Sequence, residues 1–130
     1  MNDQVGRAVP LTAWRPATSR GLWLKPADVE IGDIARLAGS LAGVRHAAPE
    51  GLLEWRYHGR LVARQLDDDH LVIRADFDYR DSILRQFPGT FSVPAQYVKH
   101  MMVVADIASG DAGAIEDALE AAWQLQRSAD

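Results

Sequence analysis

Apolar positions first recur with a helical period between residues 31 and 41. Ile31, Ile34, Ala35, Ala38 and Leu41 share one side and Asp33 and Arg36 the other, with Gly43 placed as the residue just past a helix end. "HAAPEG" then reads as a loop punctuated by Pro49 and Gly51. From Leu52 the period falls to two. "LLEWRY" and "RLVARQL" flank the turn "HG", where Gly59 supplies a positive φ, and the acidic turn "DDDH" leads into a third strand, "LVIRA". Pairing Trp55 with Val62 and Leu66 with Leu71 gathers Leu53, Trp55, Tyr57, Val62, Leu66, Leu71, Ile73 and Ala75 on one face. Glu54, Arg56, Gln65 and Arg74 fall on the other, so the pattern predicts a half-buried antiparallel sheet. The same register puts Arg64 among the apolar positions. A guanidinium there must snorkel to water at the sheet margin or meet an anion, unless the register differs.

The period changes again at "DFDYRDSILRQFPG". Asp78 is placed to N-cap a short helix with Asp81 at the third helical position, Tyr79, Ile83, Leu84 and Phe87 form its apolar stripe, and Pro88-Gly89 stops it. "FSVPAQYVKHMMVV" reads as one or two strands, with Tyr97 and Lys99 on the exposed approach and "MMVV" as the buried part. Asp111 caps a closing helix with Ala112, Ile115, Leu119, Ala122 and Trp123 inward and Glu116, Glu120 and Gln124 outward. The expected outline is α+β: an N-terminal helix, an antiparallel sheet, a short middle helix and a C-terminal helix, over residues 28–130. Residues 1–27 lack periodicity and carry three prolines, which predicts an irregular extension. Its Trp14 and Trp23 expose a large apolar area unless they dock on the domain.

Composition narrows the class more than the chemistry. With 130 residues, one domain with one core is expected, and no apolar run approaches a membrane span. There is no cysteine, which removes disulfides and thiolate sites, and with no signal-like apolar run at the N-terminus a cytoplasmic location is expected. The net charge of -4 is uneven: residues 1–43 sum to +1, residues 44–104 to zero and residues 105–130 to -5. The neutral middle can still hold a local basic face.

Catalytic and cofactor signatures are missing. No two histidines stand at metal-binding helical spacing, "DDDH" lacks the stepped ligands of a calcium loop, and no glycine-rich phosphate loop or Gly-x-Ser-x-Gly occurs. No enzyme activity, cofactor or metal is therefore expected. Cations are plentiful, with Arg56, Arg60, Arg64, Arg74, Arg80, Arg85 and Lys99 available and Tyr97 and Phe91 nearby in sequence. They fit a sheet laced by ordinary ion pairs first, and a phosphate-contacting patch only as a narrow one around the hairpin tip.

Several pieces resemble the YjbR/MmcQ-like family of small bacterial proteins: "LAGSLAGV", "YHGRLVARQ", "DFDYRDSILRQFPGTFSVPAQY" and "MMVVADI", followed by a closing helix. The resemblance spans about residues 30–125. It implies a helix packed on an antiparallel sheet, sometimes called a double-wing fold, and a DNA-binding role, with no catalytic residues to carry over. A fold does not by itself license a function. Two expectations stand: a DNA-binding module using Arg56, Arg60, Arg64, Arg74, Tyr97 and Lys99, or a module for another protein or a small ligand built around Trp14 and Trp23.

Overall fold

The computed structural model describes residues 31–129. The extension with Trp14 and Trp23, and its boundary, lie outside the described residues. Three helices and a six-stranded antiparallel sheet make an α+β fold. The order is α1 (Ile31–Ser40), β1 (Val44–Ala47), β2 (Glu54–Tyr57), β3 (Arg60–Asp67), β4 (His70–Arg74), α2 (Phe77–Gln86), β5 (Phe91–Ser92), β6 (Met102–Asp106) and α3 (Ala112–Arg127). Strands lie as β1-β2-β3-β4-β6-β5, so β6 enters between β4 and β5. β1 is a strand where the sequence suggested loop from His46 onward, paired along β2 from Val44–Tyr57 to Ala47–Glu54.

The helices cover one face of the sheet. Trp55, Leu71, Ile73, Val103 and Ala105 meet Ile34 and Ala38 of α1, Ile83 of α2, and Ile115, Ala118, Leu119 and Ala122 of α3 in a single core. At the far end of α3, Gln126 is buried and its Nε2 donates to the Leu61 carbonyl at 2.6 Å, while the Gln126 carbonyl accepts from Arg60. At the near end Gly110 packs so closely that a Cβ would lie 2.2 Å from the Asp106 carbonyl oxygen. At the β2–β3 turn, His58 and Gly59 both take positive φ, 50° and 82°, the backbone that a two-residue hairpin requires.

The expected register is off by one residue. Trp55 pairs with Ala63 and Arg56 with Leu61, leaving Val62 as an extra residue in a β-bulge. Val62 and Ala63 both enter the helix-side core. Strict alternation from Val62 puts Arg64 inside, whereas the bulge turns Arg64 and Leu66 to the opposite face. A second irregularity at Leu66 pairs Gln65, not Leu66, with Leu71.

The helix cap also moves. Asp76, not Asp78, caps α2, its Oδ1 accepting from the Tyr79 amide at 2.8 Å. The stretch after Pro94 is not a strand. Ala95–Tyr97 is a 3-10 turn, and β6 begins only at Met102. This segment crosses the second face of the sheet, where Tyr97 packs with Val72 and Val104 beside Leu66, Val93 and Met102. Arg80 of α2 holds it in place. Its guanidinium is buried and donates to the carbonyls of Tyr97 (3.2 Å), Val98 (3.1 Å), His100 (2.7 Å) and Met102 (3.3 Å). The other side of the same group lies over the Phe77 ring, 4.9 Å from its centroid.

Candidate anion-binding face of the sheet

The corrected register decides which arginines share a surface. Side chains alternate across strands, and the paired positions Arg45–Arg56, Glu54–Arg64, Arg64–Val72 and Arg74–Met102 all lie on the face away from the helices. That face therefore carries Arg45, Arg56, Arg64 and Arg74 on four successive strands, with Leu61 opposite Arg56. Among the described residues Glu54 is the carboxylate set within this group. Its Oε2 accepts from Arg56 Nε at 2.7 Å, and Arg56 Nη1 also donates to the Gly59 carbonyl at 3.0 Å.

Two details are unlike ordinary sheet pairing. Arg45 and Arg56 stand directly opposite each other, a like-charge placement that costs stability. The Arg74 Nε is buried without a hydrogen-bond partner. Arg64 is half-buried and gives one proton to the Tyr97 hydroxyl at 2.7 Å. A cleft of about 290 Å³ opens beside Arg45, Glu54, Arg56 and His58.

The predicted site residues sort as follows. Arg56, Arg64 and Arg74 share the open face. Arg60 does not, because it pairs with Tyr57 on the helix side, donates to the Gln126 carbonyl at 2.9 Å and lies over the Tyr57 ring. Tyr97 is buried rather than exposed, since its 3-10 turn lays the ring on Val72. Lys99 is exposed in the turn before β6. Trp14 and Trp23 lie outside the described residues. Arg45 escaped the sequence reading because β1 did. The four residues "VRHA" after Gly43 carry no period-two alternation that could have shown the strand.

Charge also separates along the strands. The β2–β3 turn, the start of β1, the end of β4 and the start of β6 lie together, bringing Arg45, Arg56, Arg60, Arg74 and Lys99 to one end, where Asp76 and Asp78 oppose them. The β3–β4 turn and the end of β6 bring Asp67, Asp68, Asp69 and Asp106 to the other. There His70 Nδ1 lies 2.9 Å from Asp67 Oδ1. That hydrogen bond raises the imidazole's pKa and lowers the carboxyl's.

No family model matches the chain, and no curated protein matches it. Among solved structures it is similar to the crystal structure of Deinococcus radiodurans protein DR2400, a DUF419 domain, at 14% identity with a TM-score of 0.63. The match covers 78% of this chain and 81% of that one. At that identity the likeness shows the fold alone. No helix of the described residues is long and apolar enough to cross a membrane.

Proposed function

We propose that the protein is a non-enzymatic nucleic-acid-binding module that grips the phosphate backbone with the open face of its sheet. The observation that carries this reading is the group of Arg45, Arg56, Arg64 and Arg74 on one face of four successive strands, with Glu54 as the one carboxylate set among them in the described residues. A sheet needs no such excess of guanidinium for its own stability, and the Arg45–Arg56 juxtaposition works against it. Lys99 extends the patch at the same end of the strands. The resemblance to YjbR/MmcQ-like proteins, and the DNA-binding role it implies, supports the reading.

The test is fluorescence anisotropy of labelled duplex and single-stranded DNA across a salt series. Four arginine–phosphate contacts on duplex DNA give a slope of log K against log salt near -3.6, or roughly 100-fold weaker binding at 200 mM than at 50 mM salt. Arg45→Gln and Arg56→Gln each reduce that slope by about one. Arg36→Gln, on the helix side, leaves it unchanged. Absence of binding at 50 mM salt, or a flat salt dependence, overturns the reading.

A further inference from the structure

The three groups around Val72 make a smaller and more specific site. Val72 is fully buried under the Tyr97 ring. Arg64 is its cross-strand partner, and Arg74 is the next residue on the same face of β4. Diagonal neighbours on a sheet face lie within reach of long side chains. Arg64 and Arg74 are thus two half-buried cations at diagonal positions of one sheet face. The facing carboxylate, Glu54, is already bonded to Arg56. Arg74 has a buried Nε–H with no acceptor. The Tyr97 oxygen accepts from Arg64, so its own hydroxyl proton is left to donate, and it has no acceptor among the described residues.

We infer that Arg64, Arg74 and the Tyr97 hydroxyl form a seat for one phosphate group. Two guanidinium forks and a phenol O–H supply donors from three directions, which suits a tetrahedral oxyanion better than a flat carboxylate. A bound anion also offsets the repulsion between two partly desolvated arginines. The group is either a backbone phosphodiester, which deepens the nucleic-acid reading and rests on it, or the phosphate of a small molecule. The seat itself requires only the phosphate.

The experiment titrates inorganic phosphate into the full chain at constant ionic strength, with chloride as the balancing anion, and follows the arginine Nε–H resonances. The Arg64 and Arg74 signals are expected to move saturably, while those of Arg36 and Arg85 stay in place. Tyr97→Phe keeps the buried ring and weakens phosphate by about 10- to 100-fold, the worth of one hydrogen bond to a charged group. Chloride shifting the same signals equally, or phosphate moving all arginines alike, overturns the seat even if DNA binds elsewhere on the face. A DNA duplex that displaces phosphate from these signals identifies the backbone as its source. Saturable phosphate binding that DNA does not displace supports the seat and counts against the nucleic-acid reading.

Discussion

Replacing Arg80 with Leu removes the fastening of the segment that crosses the second face. The side chain is 8% exposed and its guanidinium serves four carbonyls, from Tyr97 to Met102, with no carboxylate bonded to it among the described residues. Hydrogen bonds from a charged donor contribute about 1.5–3 kcal/mol each, though four bonds to one group do not add in full. The desolvation of the guanidinium, including a buried Nε with no partner, offsets part of the gain. Removing the donor leaves the carbonyls that water cannot reach unsatisfied, at about 1–3 kcal/mol each, so a loss of about 3 kcal/mol or more is expected, a large share of the roughly 5–15 kcal/mol that holds a domain together. Equilibrium urea unfolding followed by circular dichroism is the assay. With a slope of about 1–3 kcal/mol per molar, the midpoint falls by at least about 1 M. Arg80→Lys recovers little, because one compact ammonium cannot span acceptors that a planar fork reaches together. A loss below about 1 kcal/mol for Arg80→Leu would refute the argument, showing that the carbonyls take water instead at little cost.

The helix cap gives a sharper contrast. Asp76→Ala costs about 1 kcal/mol of stability by removing the acceptor for the Tyr79 amide, whereas Asp78→Ala, two residues later and inside the helix, costs only a few tenths. Equal losses in thermal or urea denaturation contradict the assignment. At the acidic end, the raised His70 pKa means that its bond to Asp67 stabilises the fold in full below the ordinary histidine value and is lost as pH rises through the folded value. The lowered Asp67 pKa means that this contribution is also lost as pH falls through the folded carboxyl value. Any stability gap between the wild type and Asp67→Asn is therefore widest between about pH 4 and 6.5. The His70 proton resonance titrates at lower pH in the variant, and an unchanged midpoint contradicts the coupling.

Helical and strand periods were plain in the sequence wherever one side chain in two or in three to four is apolar. The closing helix with its Asp111 cap and the β2–β3–β4 meander follow directly from that. The bulge was not legible, for a local reason. In "RLVARQ" three successive residues are apolar, so either Val62 or Ala63 can face Trp55, and only packing against the helices makes both point inward. That single extra residue decided the side taken by Arg64, and with it the composition of the candidate site. Tyr97 was misplaced because a proline-led aromatic looks the same before an exposed strand and in a turn that folds back on the sheet. Arg80 was counted among the cations available to a phosphate, since the acceptors that occupy it lie 17 to 22 residues further along the chain.

The division of charge between the two ends of the strands gives the molecule an electric moment along them that its net charge of -4 conceals. A polyanion feels overall repulsion at a distance and a torque that swings the arginine end forward as it comes near. Collisions are thereby filtered by orientation, at a cost in encounter rate that added salt relieves within a Debye length of about 10 Å at 0.1 M. Specificity of approach and weakness of long-range capture are then two sides of one charge distribution.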